Sequence, residues 1–282
     1  MKKHYLFAVI GLFLINLNLF SQESKKISLE DIWLKGTFRP AFIQEIRSMK
    51  DGEHYCVLED NKIKKYSYKD GKEKSIILDI SKINLPDNIK KIEINEYNFS
   101  SDESKILISS NTESIYRHSS ISDYYVYDLK SNTIELLTNK GKIRLAEFSP
   151  DGNNVVFIKD NNLIIKNLIN KIENNITTDG KQNHIINGST DWVYEEEFGI
   201  TKGFFWSPDG KKVAYYRFDE SNVKEYNMQM WGNLYPEDYR YKYPKAGEDN
   251  SIVDIYVFDI TTGKSVKMDL GKETNQYIPR IK

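Results

Sequence analysis

The chain repeats one short sequence, Phe148-Ser149-Pro150-Asp151-Gly152 and again Trp206-Ser207-Pro208-Asp209-Gly210. A weaker third copy is Phe99-Ser100-Ser101-Asp102-Glu103, and Asp51-Gly52 marks a fourth position. Proline presets φ and the Asp-Gly pair tolerates the positive φ of a tight turn, so the two clear copies predict turns. The turns recur about every 50 residues, which is the period of a propeller blade.

Strand-like runs surround these turns. A run follows each of the last three turn positions, and a second pair of runs follows further along; they are Ile106–Ser109, Val155–Ile158, Val213–Tyr216, Tyr124–Leu129 with Ile134–Leu137, and Ile255–Ile260 with Ser265–Met268. Four short strands per unit predict an all-β chain, a partial β-propeller of about four four-stranded blades. A sandwich is the alternative, but sandwiches do not usually repeat such a turn.

The composition restricts the possible ligands. The 282 residues include 40 Lys and Arg against 41 Asp and Glu, and this balance argues against a nucleic-acid partner. The single cysteine, Cys56, cannot form an internal disulfide. No Cys cluster, His pair at ligand spacing or Gly-rich phosphate loop occurs in the sequence, so we expect neither metal nor cofactor.

The N-terminus, residues 1–22, resembles a signal peptide. Lys2 and Lys3 precede an apolar run, Tyr5–Ile15, and Ser21-Gln22 lies near a plausible cleavage point. The alternative is a retained membrane anchor, but the run is shorter than the roughly 20 residues that a spanning helix needs. We therefore expect an exported protein, periplasmic or secreted, with membrane association as the remaining possibility.

Residues 23–282 are expected to form one incomplete propeller domain. The final residues, 277–282, look like the opening strand of another blade, which would leave a sheet edge unpaired, so the chain is expected to be cut short. Residues 218–250 break the blade pattern with a polar, aromatic and irregular sequence. We interpret them as an inserted arm, because the Trp and Tyr content favours a contact surface over a disordered loop.

The segment 190–198, Thr-Asp-Trp-Val-Tyr-Glu-Glu-Glu-Phe, carries the candidate chemistry. Asp191 or Thr190 would cap a short helical turn, which aromatic residues would fix to the propeller. Its three carboxylates fit either a solvated acidic face or a site. Glu196 and Glu197 would converge only around a cation, and the ammonium group of a free peptide N-terminus supplies one.

Arg117 is the candidate partner of this acidic segment. It would balance the negative charge and donate to a peptide carbonyl, although a lone arginine is by default an ordinary surface residue.

These residues together resemble the dipeptidyl peptidase IV family of the prolyl oligopeptidase group of serine peptidases. The most specific string is Asp191-Trp192-Val193-Tyr194-Glu195-Glu196-Glu197, in which Asp191, Trp192, Tyr194 and Glu195 support the motif. The other matching segments are Arg117-His118-Ser119, Trp206-Ser207-Pro208-Asp209-Gly210, Tyr243-Pro244-Lys245-Ala246-Gly247 and Tyr277-Ile278-Pro279-Arg280. Before Arg117 the likeness is weaker and rests on the blade pattern.

The resemblance implies an eight-bladed propeller followed by an α/β-hydrolase domain. Glu196 and Glu197 would bind the substrate α-ammonium, and Arg117 would reach the carbonyl of the second substrate residue. N-terminal dipeptides would be released, with proline preferred at the second position, although some relatives release tripeptides. The arm lies where the family makes dimer contacts, so a homodimer is implied.

Catalysis is not expected from this chain alone. The nucleophile of the family lies in a Gly-x-Ser-x-Gly elbow, and the sequence contains none, so no catalytic residue is assigned and the hydrolase domain would be a missing partner. The alternative function is a non-catalytic propeller that serves as a binding or scaffold module of the cell envelope. A truncated gene product is a third possibility.

Overall fold

The computed structural model describes residues 26–40, 45–86, 89 and 91–281. The predicted signal peptide, residues 1–22, and the expected domain boundary that follows it lie outside these residues. The chain divides into two compact units, Met1–Gln44 and Glu45–Lys282. The first contains a π-helical turn, Glu30–Leu34. Within the described part of the chain, no helix has the length and apolar character needed to cross a membrane.

The second unit contains four antiparallel blade sheets, one for each predicted blade, and a separate two-stranded sheet. Blade 1 contains β1 (Arg47–Ser48), β2 (His54–Glu59), β3 (Lys62–Ser67) and β4 (Glu73–Asp79), followed by a 3-10 turn, Ile80–Lys82. Blade 2 contains β5 (Glu96–Phe99), β6 (Lys105–Ser114), β7 (Ser120–Asp128) and β8 (Thr133–Leu136). Blade 3 contains β9 (Arg144–Phe148), β10 (Asn154–Lys159), β11 (Asn162–Asn167) and β12 (Glu173–Asn175).

Blade 4 is the elaborated one. It contains β13 (Ile185–Asn187), a helix α1 (Trp192–Phe198), β14 (Phe204–Trp206), β15 (Lys212–Asp219), a separate hairpin of β16 (Glu225–Met230) and β17 (Glu237–Lys242), then β18 (Ile252–Asp259) and β19 (Lys264–Lys267). The predicted all-β partial propeller is confirmed. The β16–β17 hairpin lies within the segment interpreted as an arm, and we call this hairpin the arm.

The repeated pentapeptides are the turns between the first and second strands of the blades. The N–H of Gly152 donates to the carbonyl of Ser149, and Gly210 N–H donates to Ser207, each at 2.9 Å. Both glycines have positive φ, 68° and 69°. The weaker copy makes the same turn, with Glu103 at φ 56° in the glycine position.

The connection between the second and third strands differs from blade to blade. Blades 1 and 3 use two residues, Asp60-Asn61 and Asp160-Asn161, all with positive φ. Positive φ at both positions is the requirement of a type I′ hairpin turn. In blade 2 the connection is a loop, residues 115–119, and in blade 4 it is residues 220–251, which include the arm.

The core lies between neighbouring blades. Val155, Val156, Phe157 and Ile158 of β10 are all at most 1% exposed, so this strand is covered on both faces. Its alternate residues belong to different clusters: Val155 and Phe157 pack with blade 2, and Val156 and Ile158 pack with blade 4. Continuous apolar strands of this kind are expected where a sheet is buried on both sides.

The first strand of blade 4 is split. Both β13 and β14 pair with β15, at opposite ends, and residues 188–203 leave the sheet between them. The two ends of this insertion are joined, because Gly203 N–H donates to the Gly188 carbonyl at 2.8 Å. Gly188 has φ +74°, and a Cβ atom there would lie 2.6 Å from the Leu163 side chain. The insertion that carries α1 therefore leaves and re-enters the sheet at neighbouring positions, which this backbone hydrogen bond joins.

Candidate functional site

Helix α1 begins at a buried cap. Asp191 accepts from the Tyr194 N–H at 3.0 Å and from the Ser251 hydroxyl at 2.7 Å. Burial raises the pKa of Asp191, and these hydrogen bonds act against that shift. Thr190, the other predicted cap, instead donates its hydroxyl to the Ile200 carbonyl. Gly199, in the left-handed conformation, ends the helix.

Two aromatic residues fix α1 in place. Tyr194 is 1% exposed, and its hydroxyl accepts from the Ile278 N–H at 2.7 Å. Burial raises the pKa of Tyr194 to about 12, so its hydroxyl remains protonated. Trp192 packs against Tyr243 beyond the arm, with the ring centroids 4.3 Å apart. The helix therefore has little freedom to rotate about its axis.

Glu195 connects α1 to the loop of blade 2. Its side chain is 1% exposed, and Oε1 accepts from the N–H groups of His118 and Ser119, both at 2.9 Å. Arg144 lies close enough for the Glu195 charge to offset part of the lowering of the Arg144 pKa by burial. The two backbone hydrogen bonds and the nearby positive charge offset part of the cost of burying this carboxylate. Glu195 thereby fixes the backbone next to Arg117.

Glu196 and Arg117 form an ion pair. Arg117 Nε lies 3.4 Å from Glu196 Oε2, while the side-chain exposures are 74% for Arg117 and 14% for Glu196. The structure therefore brings together residues from blade 2 and blade 4 that are far apart in sequence. Glu196 is sheltered, whereas most of the guanidinium side chain remains open to solvent.

Glu197 lies in a neighbouring groove of about 940 Å³ between α1 and the arm. Its side chain is exposed. The remaining walls are mainly aromatic or apolar and include Trp192, Val193, Phe198, Tyr226, Met228, Tyr241, Tyr243, Pro244 and Tyr277. The two consecutive carboxylates thus have different surroundings, one next to a guanidinium and one at an aromatic wall.

The contribution of the arm was not foreseen from the sequence. The segment was expected to form an ordered arm without assigned strands, and β16 and β17 pair over six residues each. Tyr116, the neighbour of Arg117, packs against Tyr241 of β17 at 5.7 Å between ring centroids. The alternation of Tyr239, Tyr241 and Tyr243 was the available signal, since alternate residues of a strand share one face.

A third buried carboxyl, after Asp191 and Glu195, lies near the beginning of α1. Glu220 is 6% exposed and lines a cavity of about 190 Å³ that also includes Asp191 and Lys242. Burial, with a further contribution from the Asp191 charge, raises the pKa of Glu220 to about 7. Within the described ranges, no group of three or more His, Cys, Asp or Glu side chains could hold a metal ion.

Comparisons with known proteins identify the family to which this fold belongs. The family model described as "Dipeptidyl peptidase IV (DPP IV) N-terminal region" matches residues 100–282. The crystal structure of Porphyromonas gingivalis dipeptidyl peptidase 4 superposes with a TM-score of 0.84 and 40% identity, over 91% of this chain and 37% of that one.

Similar proteins also occur in fungi. The dipeptidyl aminopeptidase B of Saccharomyces cerevisiae is 34% identical over 183 residues, which are 63% of this chain and 22% of the yeast protein. The "Probable dipeptidyl-aminopeptidase B" of Colletotrichum graminicola is 36% identical over 188 residues, 61% of this chain and 20% of its own length. The chain thus spans about a fifth of these relatives. It belongs to the dipeptidyl peptidase IV family, as part of the N-terminal region.

Proposed function

We propose that this chain holds the free N-terminus of a peptide for a serine-type dipeptidyl peptidase. Glu196 and Glu197 would bind the α-ammonium group, and Arg117 would donate to the carbonyl of the second residue. The observation that carries the proposal is the Arg117–Glu196 ion pair of 3.4 Å, formed between two blades. The ion pair supports a site because its two residues are held in place. Glu195, next to Glu196, accepts hydrogen bonds from the backbone of His118 and Ser119, which follow Arg117.

Electrostatics favour an ammonium ligand. Glu196 is largely desolvated and has one cationic neighbour, while Glu197 adds a second negative charge on the same helical turn. An ammonium group offers three N–H donors and the positive charge that two adjacent carboxylates require. A peptide whose amine is acetylated lacks that charge and should bind poorly.

The complete reaction needs groups beyond this site. Anchoring the terminus would define which peptide bond meets the nucleophile, so that dipeptides, preferably Xaa-Pro, are released. The nucleophile and its base would come from an α/β-hydrolase domain, because the Gly-x-Ser-x-Gly elbow does not occur in these 282 residues.

Peptide binding by the 282-residue chain tests the site. Calorimetry with the tripeptide amide Ala-Pro-Ala should give tighter binding than with its N-acetylated form. Glu196→Gln and Glu197→Gln should each weaken binding of the free amine about 100-fold, because one partner of a desolvated ion pair is lost. The matched control is Glu135→Gln, which changes an exposed carboxylate that pairs with Lys171.

Equal affinity for the free and the acetylated peptide would refute the amine site. Peptide-independent binding to envelope components would then support the scaffold function.

The proposal extends to assembly and location. The tip of the arm exposes Trp231 at 72% and Leu234 at 89%, which suits a homodimer contact. Sedimentation equilibrium should therefore show dimers that Leu234→Glu disrupts.

Export would place the protein in the periplasm or outside the cell. N-terminal sequencing of the mature protein should then begin near residue 23, whereas a start at Met1 would contradict cleavage.

A further inference from the structure

The arm carries three tyrosines on one face. Tyr239, Tyr241 and Tyr243 alternate along β17 and its end, so their side chains point the same way. Neighbouring ring centroids are 5.7 Å apart for Tyr239 and Tyr241 and 6.2 Å for Tyr241 and Tyr243. We call these three residues the tyrosine ladder.

The ladder contacts both halves of the candidate site. At one end, Tyr116 lies 6.4 Å from Tyr239 and 5.7 Å from Tyr241 between ring centroids. At the other end, Trp192 lies 4.3 Å from Tyr243. Tyr116 directly precedes Arg117, and Trp192 is the first residue of the helix that carries Glu196. The ladder therefore spans the gap between the Arg117 loop and α1.

Burial singles out the middle residue of the ladder. Tyr241 is 4% exposed, whereas every residue of the partner strand β16 is exposed. Burial raises the pKa of Tyr241, and the nearby Glu196 charge adds to that effect, so the hydroxyl stays neutral. Tyr226, its cross-strand partner on β16, packs beside it with the ring centroids 6.1 Å apart.

We propose that the tyrosine ladder is a positioning element, with Tyr241 at its centre, that sets the separation between Arg117 and the carboxylates of α1. Arg117 needs such support because its side chain is 74% exposed and its ion pair with Glu196 is 3.4 Å long. Packing of Tyr116 on the ladder restricts the backbone that carries the guanidinium. This inference rests on the proposed function, since the quantity that the ladder controls is the geometry of the amine site.

The test compares two substitutions of Tyr241 in the 282-residue chain. Tyr241→Ala should raise the Kd for Ala-Pro-Ala amide about tenfold, because aromatic pairs on both sides are lost. Tyr241→Phe keeps the ring and should bind within about twofold of the unsubstituted chain. The matched control is Tyr235→Ala, because Tyr235 lies at the arm tip and is 79% exposed. This substitution should leave the Kd for Ala-Pro-Ala amide unchanged.

A double-mutant cycle separates positioning from general stability. If the ladder acts through Arg117, Tyr241→Ala should add little to the loss already caused by Arg117→Ala. Thermal unfolding confirms that each variant is folded at the binding temperature. Should the alanine variant unfold, Tyr241→Leu keeps apolar volume without the ring contacts and should show the same tenfold loss.

The outcomes distinguish the two proposals. Additive losses, or a phenylalanine variant as weak as the alanine variant, would overturn the ladder. If the unsubstituted chain prefers the free amine and Tyr241→Ala retains full affinity, the ladder is wrong and the amine site stands. If the unsubstituted chain shows no preference for the free amine, the proposed function fails first.

Discussion

Blades 1 and 3 differ from blades 2 and 4 in one connection, the hairpin between the second and third strands. The first pair closes it with Asp-Asn in two residues, at Asp60-Asn61 and Asp160-Asn161. The second pair opens it, into the Arg117 loop of blade 2 and the arm of blade 4. Every residue that we assign to peptide binding lies in an opened connection or in the insertion that splits the first strand of blade 4.

The short turn of blade 3 is what allows its neighbours to meet. Asp160 and Asn161 line the same cavity as Tyr116 of blade 2 and Tyr239 of the arm. A longer connection at this point would occupy the space between them. A site between blades 2 and 4 therefore requires long connections in both of these blades and a short one in blade 3.

The largest loss of stability is expected at Glu195, which links α1 of blade 4 to the Arg117 loop of blade 2. Glu195→Ala leaves the N–H groups of His118 and Ser119 without their acceptor and Arg144 without its counter-charge. The free energy of unfolding should fall by about 3–5 kcal/mol, measured by urea denaturation at pH 7.

Glu135→Ala removes an exposed carboxylate of blade 2 and should cost less than about 0.5 kcal/mol. Similar losses for the two variants would mean that the link between the blades contributes nothing special.

A smaller, pH-dependent effect on the free energy of unfolding is expected from Glu220. The pKa of Glu220 is raised to about 7 in the folded state from an ordinary 4.5. A carboxyl with a raised pKa stabilises the fold fully below about pH 4.5, and this contribution is lost as the pH rises through 7. Glu220→Gln should therefore be more stable than the unsubstituted chain at pH 8 by about 2–3 kcal/mol, relative to their difference at pH 4.5.

Urea denaturation of both proteins at pH 4.5, 6 and 8 measures this difference. A gap that stays constant across these pH values would show that Glu220 titrates normally.

The smallest change in stability should come from lengthening the short turn of blade 3. Four residues, Gly-Ser-Gly-Ser, inserted between Asp160 and Asn161 should cost less than about 1 kcal/mol in loop entropy. Affinity for Ala-Pro-Ala amide should nevertheless fall about tenfold, because the Arg117 loop and the arm are pushed apart.

The same insertion between Asp60 and Asn61 of blade 1 is the control, since this turn does not line the cavity that Asp160 and Asn161 share with Tyr116 and Tyr239. Equal effects of the two insertions on affinity would contradict the role given to the blade 3 turn.

The blade architecture was predictable because its signals are local. The Ser-Pro-Asp-Gly turn and the alternating runs each act within a few residues, and even Glu103, with no glycine beside it, adopts the same turn. The Asp191 cap was predictable for the same reason, as it bonds Tyr194 three residues away.

The contacts that assemble the site could not be obtained from local patterns. Ser251 donates to Asp191 across 60 positions, and the partners of Glu195 lie 76 and 77 residues earlier. No periodicity in the sequence encodes such pairs. The family resemblance pointed to Glu196, Glu197 and Arg117, but it gave no indication of the ladder, whose tyrosines are readable as a strand only once the hairpin is known.

The reach of Glu195 also has a kinetic consequence. Contacts between residues so distant in sequence close late, because a large loop must be ordered first. Here that loop contains blade 3, which has to fold before Glu195 of α1 can accept hydrogen bonds from His118 and Ser119. During refolding, recovery of peptide binding should therefore lag behind recovery of the far-ultraviolet circular dichroism signal. Peptide affinity would then report the last step of folding.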